Sequence, residues 1–212
     1  DIDTWNELLA WRQHVFNAIG MQMQNVLLDP SIASASNSQN PHIQALNSFA
    51  FRGYHESAWL INKFSHVARK QGLSNVCLSF LNKIYTLPNI EIQDAFKKLR
   101  EQVKCYLTSN IQSDLITGLE IINATNLGYF VANQKAEFFT FKAKFLARLD
   151  MLDEANRVFA QAVEIDLNSS KGWSAWGTFN DERFMATKDI AWATNAISCY
   201  LQTATLVSSG KG

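Results

Sequence analysis

Apolar residues recur along this 212-residue chain at the three-and-four spacing of an α-helix, and nowhere in the sustained alternation of a half-buried strand. Between Thr4 and Leu28, Trp5, Leu8, Leu9, Val15, Phe16, Ile19, Met23, Val26 and Leu27 follow that spacing, and Thr4 with Glu7 forms a capping-box pair that opens the helix. The small, polar run over 29–41 (DPSIASASNSQNP) predicts a flexible loop. A second helical region covers about His42 to Lys70, with a break or bend expected near Gly53 and a glycine stop at Gly72. Ser74 reads as the cap of a third helix that reaches Leu87 and ends at Pro88. A fourth helix runs from about Glu91 to Thr108 with Ile92, Phe96, Leu99, Val103 and Tyr106 inward, and a fifth opens at Ser113 or Asp114 and frays near Asn126. Pro30, Pro41 and Pro88 all fall between these segments, as proline must if the rest is helical.

From Gln134 onward the pattern carries more. Phe139, Ala143 and Leu146 make one apolar stripe on a sixth helix, and Phe138, Phe141 and Phe145 make another. A helix apolar on two sides has to be covered on two sides. After the turn Asp150-Met151-Leu152-Asp153, a seventh helix carries Ala155, Phe159 and Ala162. Large, small and aromatic residues on one helix, followed by A-x3-F on the next, are the signature of a TPR hairpin, whose period is roughly 34 residues. One such period carries Phe139 onto Trp173 and Ala143 onto Gly177, so Trp173-Ser174-Ala175-Trp176-Gly177 is the next first helix in register. Its partner is Ala196-x3-Tyr200, seven residues later than the period requires, which places an insertion around Asp181 to Asp189. Ala or Gly at a crossing lets two helices approach closely, and the bulky residue a turn away fills the adjacent groove. The fold class expected is therefore all-α, a solenoid of antiparallel helix hairpins of the TPR/HEAT kind with about nine helices. The best units span 134–168 and 169–206.

Composition supports a packed core without naming a chemistry. Hydrophobic residues make up 47% and charged residues 18%, which argues against disorder. Lys plus Arg equals Asp plus Glu at 19 each, so no global field draws in nucleic acid or an anionic membrane. The odd, widely spaced Cys77, Cys105 and Cys199 read as reduced, buried thiols of an intracellular protein. His55-Glu56-Ser57-Ala58-Trp59 begins like a zinc-protease helix, but Trp59 stands where the second histidine belongs, and His14, His42 and His66 show no ligand spacing. There is no C-x2-C pair, nucleophile elbow or glycine-rich phosphate loop. No catalytic, cofactor-binding or metal-ligating residue is assigned, and an enzyme is not expected.

Two basic clusters remain. Lys97, Lys98, Arg100 and Lys104 lie on the fourth helix, and Lys63, His66, Arg69 and Lys70 end the second. Both suit a solvated face with cations at a helix C-terminus; the sharper reading makes Lys97, Lys98, Arg100 and Lys104 a candidate anion or partner surface. Trp173 and Trp176 have the spacing of a peptide platform, although their register favours core packing.

Several short strings share a further property. Trp11-Arg12-Gln13-His14, Ile84-Tyr85-Thr86-Leu87-Pro88, Val103-Lys104-Cys105-Tyr106-Leu107, Thr125-Asn126-Leu127, Ala136-Glu137-Phe138, Asp153-Glu154-Ala155-Asn156, Trp173-Ser174-Ala175-Trp176-Gly177 and Ala196-Ile197-Ser198-Cys199-Tyr200-Leu201 occur in the order and spacing of a known family. Together they resemble the FAT region of the TRRAP family, pseudokinases among the phosphatidylinositol 3-kinase-related kinases, from about Trp5 to Leu201. The resemblance implies a fragment of a very large nuclear co-activator whose kinase-like domain has lost catalysis. It implies a helical-repeat scaffold that wraps that domain. It also implies partners among SAGA-type and MYST-type histone acetyltransferase subunits and transcription activators, with no direct nucleic-acid or membrane contact. An inositol phosphate held by Lys and Arg is a ligand of some relatives, and no motif here locates it. The FAT region of an active kinase and a free-standing TPR peptide adaptor are the alternatives from other classes.

Overall fold

A computed structural model describes residues 2–27, 41–87 and 90–210. Among the described residues the chain forms nine α-helices, two short 3-10 turns and no strand. It divides into two compact units, 1–102 and 103–212, and each is described by itself.

In the first unit, α1 (Ile2–Leu27) lies along α2 (Pro41–Lys70), with Arg12 of α1 placed 3.8 Å from Glu56 of α2. The break or bend expected at Gly53 is absent as a break: α2 is assigned as one unbroken helix. A single mid-helix glycine costs about 1 kcal/mol against alanine, too little to interrupt a long helix that packs along a neighbour. Pro41 is its first residue, where the missing N–H would have had no partner anyway. The stop at Gly72 is present in full. Gly72 has φ +78°, its N–H donates to the Arg69 carbonyl at 3.0 Å, and the Leu73 N–H reaches back to the Ala68 carbonyl at 2.9 Å. This pair of bonds is a Schellman motif, and it satisfies carbonyls that the helix end leaves open.

The third helix differs from expectation at both ends. α3 (Ser74–Asn82) has Leu73 at its cap position without a side-chain hydrogen bond, so Ser74 is its first residue and not its cap. The chain then tightens into a 3-10 turn over Lys83–Thr86 before Leu87. The proposed stop at Pro88 and the flexible segment 29–40 lie outside the described residues. Ile61, Phe64 and Ala68 of α2, Cys77, Phe80 and Leu81 of α3, and Ile84 make the core, with the Phe64 and Phe80 rings 4.1 Å apart. α4 (Ile92–Thr108) contributes Phe96, but Ile92, expected inward, is 51% exposed because it starts the helix.

The second unit is a run of hairpins. α5 (Gln112–Ala124), α6 (Ala132–Arg148), α7 (Leu152–Ile165), α8 (Ser170–Thr187) and α9 (Ile190–Ser208) each pack on their helical neighbours in sequence, a 3-10 turn at Leu127–Tyr129 joins α5 to α6, and α8 also touches α6. Both stripes of α6 are covered: Phe138, Phe145, Ala143 and Leu146 are all buried. Ala143 and Leu146 join Ala155, Val158, Phe159 and Phe179 in one cluster that Phe139, Leu119, Trp176 and Trp192 surround. This is the all-α architecture of stacked helix hairpins from which helical-repeat solenoids are built.

The turns within these hairpins place two non-glycine residues in the left-handed region. Asp150 has φ +61°, with Met151 N–H bonded to the Leu146 carbonyl and Asp150 N–H to that of Ala147, repeating the Gly72 motif without glycine. Lys188, at φ +59°, donates to the Phe184 carbonyl at 2.7 Å and ends α8. Ser169 and Asp189 cap the following helices, accepting from the N–H groups of Gly172 at 3.1 Å and Ala191 at 2.9 Å.

The seven-residue insertion does not form a loop. α8 continues fourteen residues past Trp173, against nine past Phe139 in α6, and α9 begins six residues before Ala196, against three before Ala155 in α7. The connecting turn shortens from three residues to two. The extra chain therefore lengthens both arms of the second hairpin.

Candidate functional site

Helix crossings define what this chain can present. The side chain a residue could carry at each crossing is limited by what a Cβ would meet. At Gly177 an added Cβ would stand 2.8 Å from the Tyr200 ring and 3.3 Å from Cys199 Cβ, so α8 lies against α9 backbone to side chain at that point. Ala196 is buried beside this contact, and Tyr200 keeps its outer edge in solvent. Ala155, Phe159 and Ala162 are buried on α7; Phe139 and Trp173 are half-buried. The Trp173 and Trp176 rings stack at 5.8 Å, and both indole N–H groups are engaged, Trp173 to the Leu167 carbonyl at 3.0 Å and Trp176 to Asn156 Oδ1 at 2.8 Å. The aromatic run continues from Phe159 through Phe179 to Trp192 at centroid spacings of 5.3 and 6.1 Å.

A second close approach lies at Gly118, which carries no repeat signature. A Cβ on Gly118 of α5 would come within 3 Å of both the Phe145 ring of α6 and, at 2.9 Å, Tyr106 Cβ of α4. Three helices meet there around a position that only glycine fills without displacement.

The candidate anion surface on α4 divides by environment. Lys98 is 4% exposed, and its ammonium donates to the Tyr85 hydroxyl and, at 2.7 Å, to Gln102 Oε1. Lys97 lies 3.3 Å from Asp94, itself fully buried. Arg100 Nε stands 3.6 Å from Glu101, and its guanidinium lies 5.5 Å from the Phe96 ring centre. Lys104, in the second unit, sits 3.3 Å from Glu137 and 5.3 Å from the Phe141 ring centre. Each of the four is thus matched by an acid, an acceptor or a ring of its own unit.

Glu101 is the centre of the first unit's ionic network. Its carboxylate is 2% exposed and takes a 2.7 Å hydrogen bond from Arg69 Nε, with His66 Nδ1 at 3.2 Å from the same oxygen. Burial alone would raise the pKa, but the hydrogen bond and charge of Arg69, joined by those of His66, outweigh it and hold the carboxyl below its ordinary value. Asn62 completes the α2–α4 seam by donating to the Asp94 carbonyl at 3.1 Å. Charged residues at a helical spacing look like a solvated face in the sequence; here Glu101 and Lys98 point inward because α2 supplies Arg69 and the 3-10 turn supplies Tyr85 as their partners.

All three cysteines are free and buried. Burial pushes the Cys199 thiol up to about 11, which leaves it protonated and unreactive at neutral pH. Among the described residues no cluster of His, Cys, Asp and Glu is grouped to hold a metal, and no helix is long and apolar enough to cross a membrane.

Paired helices, small residues at the crossings and charges tied into packing define a helical-repeat protein. A solved structure titled MamA RS-1 ArsTM double mutant shares this fold at a TM-score of 0.51 and 12% identity, covering 94% of this chain and 96% of that one. The FAT domain profile matches residues 1–211, and the chain belongs to that family. It is 50% identical over its whole length to the SAGA complex/NuA4 acetyltransferase complex subunit TRA1 of Saccharomyces cerevisiae and 52% identical to the corresponding Tra1 of Schizosaccharomyces pombe. Over 95% of the chain it is 36% identical to the human transformation/transcription domain-associated protein. The chain spans about 5% of the length of these relatives, 5% for the budding-yeast and human proteins and 6% for the fission-yeast one.

Proposed function

We propose that this chain is a non-catalytic scaffold segment of a very large transcriptional co-activator subunit of nuclear histone acetyltransferase complexes. The observation that carries the reading is the 50% identity, end to end, with a subunit whose name places it in both SAGA and NuA4. The architecture supports it: stacked hairpins present extended surfaces while their cores hold the spacing between them. Its partners are acetyltransferase-complex subunits, transcription activators and the kinase-like domain of the same polypeptide. Polar side chains here are spent on helix seams such as Arg69–Glu101, which suits bracing. Affinity purification of the full-length protein tests the reading. Co-recovery of acetyltransferase subunits is expected, and their absence would overturn it.

A further inference from the structure

The 3-10 turn of the first unit carries a tyrosine that faces outward and is held at its hydroxyl. Ile84 and Leu87 are buried and anchor the turn, while Tyr85 between them is 69% exposed. Lys98 of α4 donates to the Tyr85 hydroxyl, and its ammonium stands 4.4 Å from the ring centre. Lys98 is itself buried, and among the described residues its one further acceptor is Gln102 Oε1 at 2.7 Å. Both of these acceptors are neutral. Lys97 beside it reaches Asp94 and Arg100 reaches Glu101, but no carboxylate of the described residues pairs with Lys98.

We propose that Tyr85 is a phosphorylation site and that Lys98 is the built-in counterion of its phosphate. A lysine this buried is ordinarily paired with an anion, because a desolvated ammonium facing neutral acceptors recovers little of its lost hydration. A phosphoryl group on Tyr85 brings about −1.5 to −2 charge and three strong acceptor oxygens to the atom that Lys98 already touches. The contact then becomes a hydrogen bond charged on both sides, stronger than the present one. In the transfer, a separate tyrosine kinase directs Tyr85 Oη at the γ-phosphorus of a nucleoside triphosphate. The new O–P bond forms as the bond to the nucleoside diphosphate breaks, the phenol proton passes to the kinase's base, and nothing is oxidised or reduced. The turn is held by the Leu87 N–H on the Ile84 carbonyl and the Thr86 hydroxyl on the Lys83 carbonyl. Such 3-10 bonds have poorer geometry than α-helical ones and open to an enzyme at less cost. Once phosphorylated, the turn is tied to α4 by an ion pair, which clamps the exit of α3 onto the helix that carries Asp94 and Glu101. Tyr129 supplies a comparison within the same chain: it also ends a 3-10 turn, is 71% exposed, and its hydroxyl meets no cation among the described residues.

The test starts from full-length protein purified from its own cells in the presence of vanadate, which blocks tyrosine phosphatases, and read by mass spectrometry of its peptides. A phosphopeptide that places the phosphate on Tyr85 is expected, and its absence overturns the proposal. The second arm phosphorylates the full-length protein with a broad-specificity tyrosine kinase and ATP, then follows removal of phosphate by a non-specific phosphatase. Phosphate on Tyr85 is expected to be lost about tenfold more slowly than phosphate on Tyr129, because Lys98 withholds it. Lys98→Met keeps the packing of the stem and removes the charge, so the two rates are expected to converge. Equal rates in the parent protein, or protection of Tyr85 that survives Lys98→Met, overturn the pairing. If Lys98→Met does not fold, the comparison of the two tyrosines in the parent protein decides alone.

Discussion

Replacing Gly118 by alanine sets two effects of opposite sign against each other. Helix propensity alone favours alanine over glycine in a helix interior by about 1 kcal/mol. Gly118 lies inside α5, so a surface-like reading predicts a more stable protein. Packing predicts the reverse. The new methyl would come within 3 Å of the Phe145 ring and 2.9 Å from Tyr106 Cβ. Phe145 is fully enclosed, at 0% exposure, and has no room to swing away. Tyr106 Cβ is fixed to the backbone of α4. Forcing a methyl into such a site costs about 1–3 kcal/mol and strains both neighbours. Because a relaxed methyl keeps only part of the propensity gain, the net expectation is a destabilisation of about 1–2 kcal/mol. Urea denaturation followed by circular dichroism reads this as a lower midpoint with an unchanged slope. The Phe145→Leu background supplies the control. It removes the ring atoms that the methyl meets but leaves the Tyr106 Cβ contact, so Gly118→Ala should there cost less, with a coupling of roughly 1 kcal/mol between the two sites. A single mutant as stable as the parent, or additive behaviour in the double mutant, would refute the crossing.

Other perturbations address separate parts of the fold. Ala162→Glu places an unpaired carboxylate at a position 1% exposed, and a loss of several kcal/mol, roughly 3–5, is expected in the same assay. Asp150→Gly relieves a side chain held at φ +61° and should stabilise by about 1 kcal/mol, seen as a melting temperature about 2–4 °C higher. Glu101 titrates below its ordinary value of 4.5, so the unfolded state binds its proton first as pH falls. The stability it confers is therefore full above that value and lost as pH drops through the lower folded pKa, and Glu101→Gln should flatten this acid limb of the pH–stability curve. Arg69→Met leaves the Glu101 carboxylate buried with only His66 at the same oxygen, at an expected cost of about 3 kcal/mol at neutral pH, read by urea midpoint.

Helices and their order were legible in the chain because the spacing of apolar residues is a property of each helix alone. Two stripes, Phe139, Ala143 and Leu146 beside Phe138, Phe141 and Phe145, mark α6 as a helix covered on both sides, and the structure buries all of these but the half-buried Phe139. Gly72 signalled a stop through its own backbone freedom, and it occupies the left-handed position. Asp150 and Lys188 occupy the same conformation without any such signal, since Asp and Lys carry no mark that sequence reasoning can separate from an ordinary turn. Glu101 and Lys98 were hidden for a different reason. Their partners Arg69 and Tyr85 are brought to them by tertiary packing, and a charge next to other charges on a helix looks solvated until those partners arrive. Gly118 was hidden because a glycine in a helix looks like a weak point; only the neighbouring helices reveal that the missing side chain is what lets them meet.

The lengthened second hairpin has a bearing on how such a chain can vary. Its added residues lie past the Gly177–Tyr200 contact, and one of them, Trp192, rests its ring on Phe179, so the longer arms still pack on one another. Five more residues on α8 carry its tip about 7 Å further. Length can be gained or lost between Asp181 and Asp189 while Gly177 and Tyr200 stay face to face, whereas the same change between Trp173 and Gly177 would rotate one half of α8 away from its neighbour.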